Sequence, residues 1–426
     1  MNICVKPHRL TGTFKIPASK SHTIRQLFIA SLSDGFTEIT NPLDSLDTRS
    51  CICACRAFGA EIDDSRHSIW KVRGNNNFKR SANQPCKIDV GNSGTTLFFA
   101  LAIAGLQSHP ITFTGDEQIQ KRSAAPLLEA LAGLGVQSQS KNGCVPITVT
   151  GAWKGGKVVL PCPTSQYLSA LLIAAPLAPA GIVTEIDVPL LNEKPYVEMT
   201  LSYLKTFNIP LEAAPDYSRF VIPGGGKYSN KLRPIPGDFS SAAFPAAAAA
   251  ISGGAVTLLG LDPLDTQGDK YFFDIIKSMG CDVHWNNDSN GGLSVTVSRY
   301  GILRAGIFDL NSTPDLLPAA AVVAAYAEGD TTLVNVTHAR SKETDRIAVM
   351  TQELSKLGVN CTELSDGLIV HGKGSLCPLE NPIINGHGDH RIVLAFAVAA
   401  LGSPVPIEIT TAECAEVSYP GFFDIL

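Results

Sequence analysis

Charge is scarce in this chain. Only 17% of its 426 residues are Asp, Glu, Lys or Arg, against roughly 25% in an average soluble domain. Basic excess is missing too: 34 Lys and Arg face 39 Asp and Glu, a formal net charge of −5. A chain without a basic surplus lacks the usual footprint of a nucleic-acid binder. With 45% apolar residues it also lacks the low hydrophobicity of a disordered chain. Long apolar runs are absent. Phe98–Leu106, Leu168–Ala178 and Ala242–Ile251 are too short, or interrupted by Ser or Pro, to supply the roughly 20 residues of a membrane span. The N-terminal Met1-Asn2-Ile3-Cys4-Val5-Lys6-Pro7-His8 has no basic stretch followed by an apolar one, so no secretory signal is read there. A cytoplasmic location without a membrane partner is expected.

The 11 cysteines are not a disulfide framework, which belongs to short secreted chains. Their one cluster, Cys51, Cys53 and Cys55, lies on an expected helix over 49–59, where a spacing of two splays the thiols. Zinc sites prefer two to four residues between paired cysteines, and no Cys-x-x-Cys redox pair exists. Gly224-Gly225-Gly226-Lys227 lacks the spacing of a phosphate-binding loop and reads as a turn after a strand.

What the chain has is periodicity. Five apolar helix ends run into a helix-terminating residue at Gly59, Gly135, Asn208, Gly280 and Gly358, at spacings of 76, 73, 72 and 78. Gly and Asn are the residues that close helices in the left-handed conformation. Alternating strands such as Ile147–Val149 and Leu293–Val297 follow, as in a hairpin. Six Ala/Leu-rich helices open on small polar clusters at Ser19, Asn92, Thr164, Gly237, Thr313 and Gly388, at spacings of 73, 72, 73, 76 and 75. Two landmarks on one period predict six copies of a βαβαββ unit.

Each helix start offers unpaired N–H groups and partial positive charge, so several aimed at one place would trap an anion. Ser, Thr, Asp and Asn there are ordinary caps. Lys20, Arg25 and Arg391 are not, because a cation at a helix N-terminus opposes the dipole and needs an anionic partner. The densest charge cluster is Arg340-Ser341-Lys342-Glu343-Thr344-Asp345-Arg346. If it opens a helix with Ser341 as cap, Lys342 and Arg346 share a face.

Taken in order, Ser19-Lys20-Ser21…Arg25, Gly91-Asn92-Ser93-Gly94-Thr95, Lys121-Arg122, Ser165-Gln166-Tyr167-Leu168-Ser169, Thr313-Pro314-Asp315, Lys342-Glu343-Thr344-Asp345-Arg346 and Asp389-His390-Arg391 resemble the 5-enolpyruvylshikimate-3-phosphate synthases of the enolpyruvyl transferase family. The likeness runs from Lys6-Pro7 to Ser418-Tyr419-Pro420. It implies an α/β fold, a two-domain inside-out α/β barrel of the enolpyruvyl transferase type with six βαβαββ repeats, three per domain. One domain would hold residues 1–18 and 235–426, the other 19–234, with the active site in the cleft between them. It implies transfer of the carboxyvinyl group of phosphoenolpyruvate to a hydroxyl of shikimate 3-phosphate, with release of phosphate and no cofactor or metal. The partners would be these two small anions, and the protein a monomer.

The resemblance also implies residue roles. Lys20 would contact both substrates and donate a proton, Asp315 would accept the hydroxyl proton, and Glu343 would protonate the vinyl carbon. Shikimate 3-phosphate would be held by Lys20, Ser21, Arg25, Thr164, Ser165, Gln166, Tyr196, Asp315 and Lys342. Phosphoenolpyruvate would be held by Lys20, Gly94, Arg122, Gln166, Arg346 and Arg391. Four positions depart from the family pattern. Phe98 stands where an Arg is common, Val417 where a Lys is common, and His338 where Asn is common. Glu193 stands where a small Ser is often found, and a carboxylate there would repel the substrate phosphate unless it pointed away. An enolpyruvyl transferase acting on UDP-N-acetylglucosamine is the rival within the fold, but the loop 116–123 lacks the Cys that family uses. A catalytically impaired anion-binding homologue is the rival outside enzymes.

Overall fold

The computed structural model describes residues 1–75, 86–230, 232–287, 293–378 and 380–426. The chain divides into two compact units, Ala18–Ile235 and Met1–Pro17 with Pro236–Leu426. Strand Thr11–Lys15 pairs in parallel with Ala255–Leu259, so the inserted unit leaves and re-enters between two neighbouring strands of one sheet.

The inserted unit carries helices α1 (Lys20–Ser31), α2 (Leu46–Ala57), α3 (Gly94–Ala104), α4 (Ala125–Gly133), α5 (Ser165–Ala174) and α6 (Lys194–Thr206). The terminal unit carries α7 (Phe239–Ser252), α8 (Tyr271–Ser278), α9 (Leu317–Ala325), α10 (Arg346–Lys356) and α11 (His390–Leu401). These fall into two kinds. All of α9 and α11, and all of α7 but Ser252, are buried; α1, α3 and α5 are nearly so. Except in α1, whose first two turns are polar, their Ala- and Leu-rich sequences have no polar stripe, and a helix apolar all round must be enclosed. The others bury about one face each, as α10 does with Ile347, Met350 and Leu354.

Sheets enclose the buried helices. Cys86–Asp89 runs parallel to Ile111–Thr114, which pairs antiparallel with Cys144–Thr150, whose hairpin partner is Gln137–Lys141. The same order recurs in Gly156–Val159, Val183–Asp187, Arg219–Pro223 and Glu212–Ala213. It recurs again in Thr11–Lys15, Ala255–Leu259, Leu293–Ser298 and Asp282–Asn287, and once more around Ala327–Val334. Two three-stranded sheets, one in each unit, are shorter versions of it. Register places Ile88, Phe113 and Ile147 side by side on the buried face, as period-two alternation requires. Gly59, Gly135, Asn208, Gly280 and Gly358 all have positive φ, between 53° and 107°. The helix-ending landmarks of the sequence are therefore left-handed turns that send the chain into each hairpin. Among the described residues no helix is long and apolar enough to cross a membrane.

Candidate functional site

Helix starts and the turns before them supply most of the polar positions, each unit contributing its own set. In the terminal unit the set is built around Arg346. This first residue of α10 is only 1% exposed, and its guanidinium reaches three carboxylates. Nη1 donates to Asp315 Oδ1 at 2.7 Å, Nη2 to Glu343 Oε2 at 2.5 Å, and Nε to Asp389 Oδ2 at 2.8 Å. Arg391 Nη2 donates to the other Asp315 oxygen at 2.8 Å. Asp389 also caps α11, accepting the Arg391 N–H at 2.9 Å, so one carboxylate fixes both arginines. Asp315 sits in a single 3-10 turn just ahead of α9.

Burial by itself would raise the Asp315 carboxyl. The Arg391, Lys342 and Arg346 charges outweigh it and hold that carboxyl well below the usual range. The neighbouring Asp269 goes the other way: burial, with the Asp315 charge, pushes it up to about 7, and Ser240 donates to it. A raised folded-state pKa contributes stability that is complete at acid pH and is lost as pH rises toward 7. Asp269→Asn keeps the shape without the titration. Its stability relative to the parent is expected to improve by on the order of 2–4 kcal/mol between pH 4 and pH 8, read by urea unfolding. A pH-independent difference would show that Asp269 does not titrate there.

The Arg340–Arg346 string does not open a helix at Ser341. Thr337–Ser341 form a 3-10 turn, Lys342 to Thr344 follow outside any helix, and α10 begins at Arg346. Asp345 is the cap, accepting the Ala348 N–H at 3.1 Å. Arg340 is drawn off to Asp345 and Glu363 at 2.8 and 2.7 Å. Lys342 and Arg346 therefore do not share a helix face.

In the inserted unit Lys20 opens α1 and pairs with Asp47 in the first turn of α2, Nζ to Oδ2 at 3.0 Å. Arg25, 2% exposed, donates to Thr200 Oγ1 at 2.9 Å, Ser169 Oγ at 3.3 Å, and the carbonyls of Ser21 and Tyr196 at 3.1 and 3.0 Å. Its guanidinium lies 5.3 Å from the Phe99 ring centre. At the start of α3, a Cβ on Gly94 would lie 3.0 Å from Arg122 Nη1, 3.6 Å from Gln166 Oε1 and 3.7 Å from Phe98. Gly94, Arg122 and Gln166 thus face one small space that a side chain at Gly94 would enter. Gln166 is held by Thr95, accepting through Oγ1 at 3.0 Å. Phe98 is buried and packs edge-on against Tyr167, ring centres 4.9 Å apart. That position is part of the apolar core.

Glu193 does not point away. Its Oε2 accepts from Thr164 Oγ1 at 3.0 Å, the Ser165 N–H at 3.0 Å and Ser165 Oγ at 2.9 Å. Sequence reasoning missed the carboxylates that organise the cations: Asp47 for Lys20 and Asp389 for Arg346 and Arg391. Asp389 carried a signal, since an Asp just before an apolar helix is a cap. Asp47 carried only its place in a helix's first turn.

A profile of the EPSP synthase (3-phosphoshikimate 1-carboxyvinyltransferase) family matches residues 4–426. The chain is 44% identical to the 3-phosphoshikimate 1-carboxyvinyltransferase of Acetivibrio thermocellus, covering 100% of this chain and 97% of that one. It is 42% identical to the enzyme of the same name from Ruminiclostridium cellulolyticum, with the same coverage. In structure it is similar to the EPSP synthase of Acinetobacter baumannii, with a TM-score of 0.81, 27% identity and coverage of 100% and 97%.

Proposed function

This chain belongs to the EPSP synthase family, and from that premise we propose how its own residues carry the transfer of a carboxyvinyl group from phosphoenolpyruvate to shikimate 3-phosphate. The observation that supports the assignment most is the Arg346 cluster, which gathers Asp315, Glu343 and Arg391. An acid, a base and an anion-binding pair on one buried guanidinium are what addition to an enol phosphate needs.

Arg346, Arg391 and Arg122 take the carboxylate and phosphate of phosphoenolpyruvate, since planar guanidinium groups match both anions in pairs of hydrogen bonds. Gly94 and Gln166 complete that seat. Lys20 touches both substrates. Ser21, Arg25, Thr164, Ser165, Gln166, Tyr196 and Lys342 hold shikimate 3-phosphate. Glu343 gives a proton to the vinyl CH2, which becomes a methyl group. The acceptor hydroxyl attacks the carbon bearing the phosphate while Asp315 takes its proton. The tetrahedral intermediate then loses phosphate, and one methyl proton returns to the Glu343 carboxylate, restoring the vinyl group on the acceptor.

The cluster also supports a substrate-dependent base. Asp315 accepts from two arginines and its carboxyl is held far down, so by itself it is a weak proton acceptor. An arriving phosphoenolpyruvate brings negative charge to those arginines. It competes for their hydrogen bonds and raises the Asp315 basicity at the moment the hydroxyl must be deprotonated.

Phosphate release by the purified chain tests the reading. Release is expected only when shikimate 3-phosphate and phosphoenolpyruvate are both present. Release with UDP-N-acetylglucosamine in place of shikimate 3-phosphate, or none with either acceptor, would overturn it.

A further inference from the structure

The N-terminal end of α5 already holds an anion. Glu193, the residue before α6, is 2% exposed, and one of its oxygens collects three donors at that end, Thr164 Oγ1, the Ser165 N–H and Ser165 Oγ. Unpartnered N–H groups and the peptide dipoles favour negative charge at such a place. A separate observation points to the same need. Arg25 is a buried cation whose four hydrogen bonds all go to neutral oxygens. Burial lowers its pKa to about 10, against which the Tyr203, Tyr196 and Glu193 charges act. Glu193 is the one carboxylate in that set. A guanidinium so enclosed with neutral partners calls for negative charge nearby.

We propose that Glu193 is a built-in anion seated where the phosphate of the acceptor is bound, so that shikimate 3-phosphate enters by displacing it and Glu193 sets the affinity for the acceptor. The inference rests on the assignment of Thr164, Ser165 and Arg25 to the acceptor. Three donors cannot serve a carboxylate and a phosphate together, and the two charges repel at hydrogen-bonding range. An acceptor without a phosphate has no means to expel Glu193. Free inorganic phosphate, which the reaction itself releases, is held off because it brings the charge without the other acceptor contacts that offset displacing Glu193.

Calorimetric titration of shikimate 3-phosphate and of inorganic phosphate into the parent, Glu193→Ser and Glu193→Gln, with steady-state kinetics on each, tests this. Glu193→Ser is expected to bind shikimate 3-phosphate about tenfold more tightly or better, with the KM for phosphoenolpyruvate changed by less than about twofold. Its melting temperature is expected to rise on adding inorganic phosphate, while that of the parent does not. Glu193→Gln keeps the volume and an acceptor oxygen but no charge, so it is expected to fall between the two and guards against a folding defect in Glu193→Ser. Equal or weaker acceptor binding in both variants overturns the inference. So does a lowered melting temperature that neither ligand restores, the mark of a purely structural cap. The binding comparison stands even if no variant turns over. Tight acceptor binding without turnover would sink the carboxyvinyl-transfer assignment alone, and full turnover with unchanged acceptor affinity would sink this inference alone.

Discussion

Glu343→Gln is expected to lower kcat by about 10²–10⁴-fold while leaving the dissociation constant of shikimate 3-phosphate nearly unchanged. The side chain's two roles separate cleanly. Its structural role is to accept from Arg346 Nη2, and the amide oxygen of Gln does that with the same reach. The chemical role proposed for it is to give a proton to carbon, and an amide has no acidic proton to give. Asp389 and Asp315 keep their own bonds to Arg346, so the guanidinium stays in place. Rapid-quench turnover with both substrates, set beside acceptor binding by calorimetry, reads the split. A loss of acceptor binding that matches the loss of turnover would mean that Glu343 organises the site without donating the proton.

Arg346→Met is expected to cost about 3–5 kcal/mol of stability at pH 7, because removing one partner of a buried ion pair strands the others. The stranded groups are Asp389, fully buried, and Glu343 and Asp315, mostly so. Met fills the volume, so the loss is electrostatic and should depend on pH. Asp389 and Asp315 are held below their ordinary values in the folded chain, with burial opposing and Arg346 among the charges that lower them. A depressed carboxyl contributes stability present above its unfolded pKa and lost as pH falls through the folded one. Without Arg346 that contribution shrinks. The gap between parent and variant is therefore full from neutral pH down to about 4, near the unfolded value, and narrows as pH falls below it. Urea unfolding at several pH values measures it. A loss below about 1 kcal/mol at pH 7 would mean that the cluster is solvated rather than dry.

Much of the site was legible because its residues sit at helix starts, where sequence is most explicit. Thr164, Asp389 and Ser93 accept the first N–H groups of α5, α11 and α3, and a small polar residue before an Ala/Leu run says as much. The Arg340–Arg346 string was harder, because Ser341 reads as the cap while the structure uses Asp345. The choice fell to Asp345 in a structure where Arg346 is bonded to Asp315, 31 positions earlier in the chain, and Asp389, 43 positions later. No local pattern carries that information.

The sequence by itself determined the repeat, the two kinds of helix and the left-handed helix ends. Each follows from forces that act within a few residues: apolar periodicity, capping, and the freedom of Gly and Asn at positive φ. Only the tertiary structure decided which charges meet. Asp47 finds Lys20, Asp389 finds Arg346, and Glu193 turns inward onto Thr164 and Ser165. Those pairings join separate elements, and that of Asp389 with Arg346 joins separate repeats. They are settled by the cost of burying a charge without a partner, which depends on the surroundings that folding creates and not on neighbours along the chain.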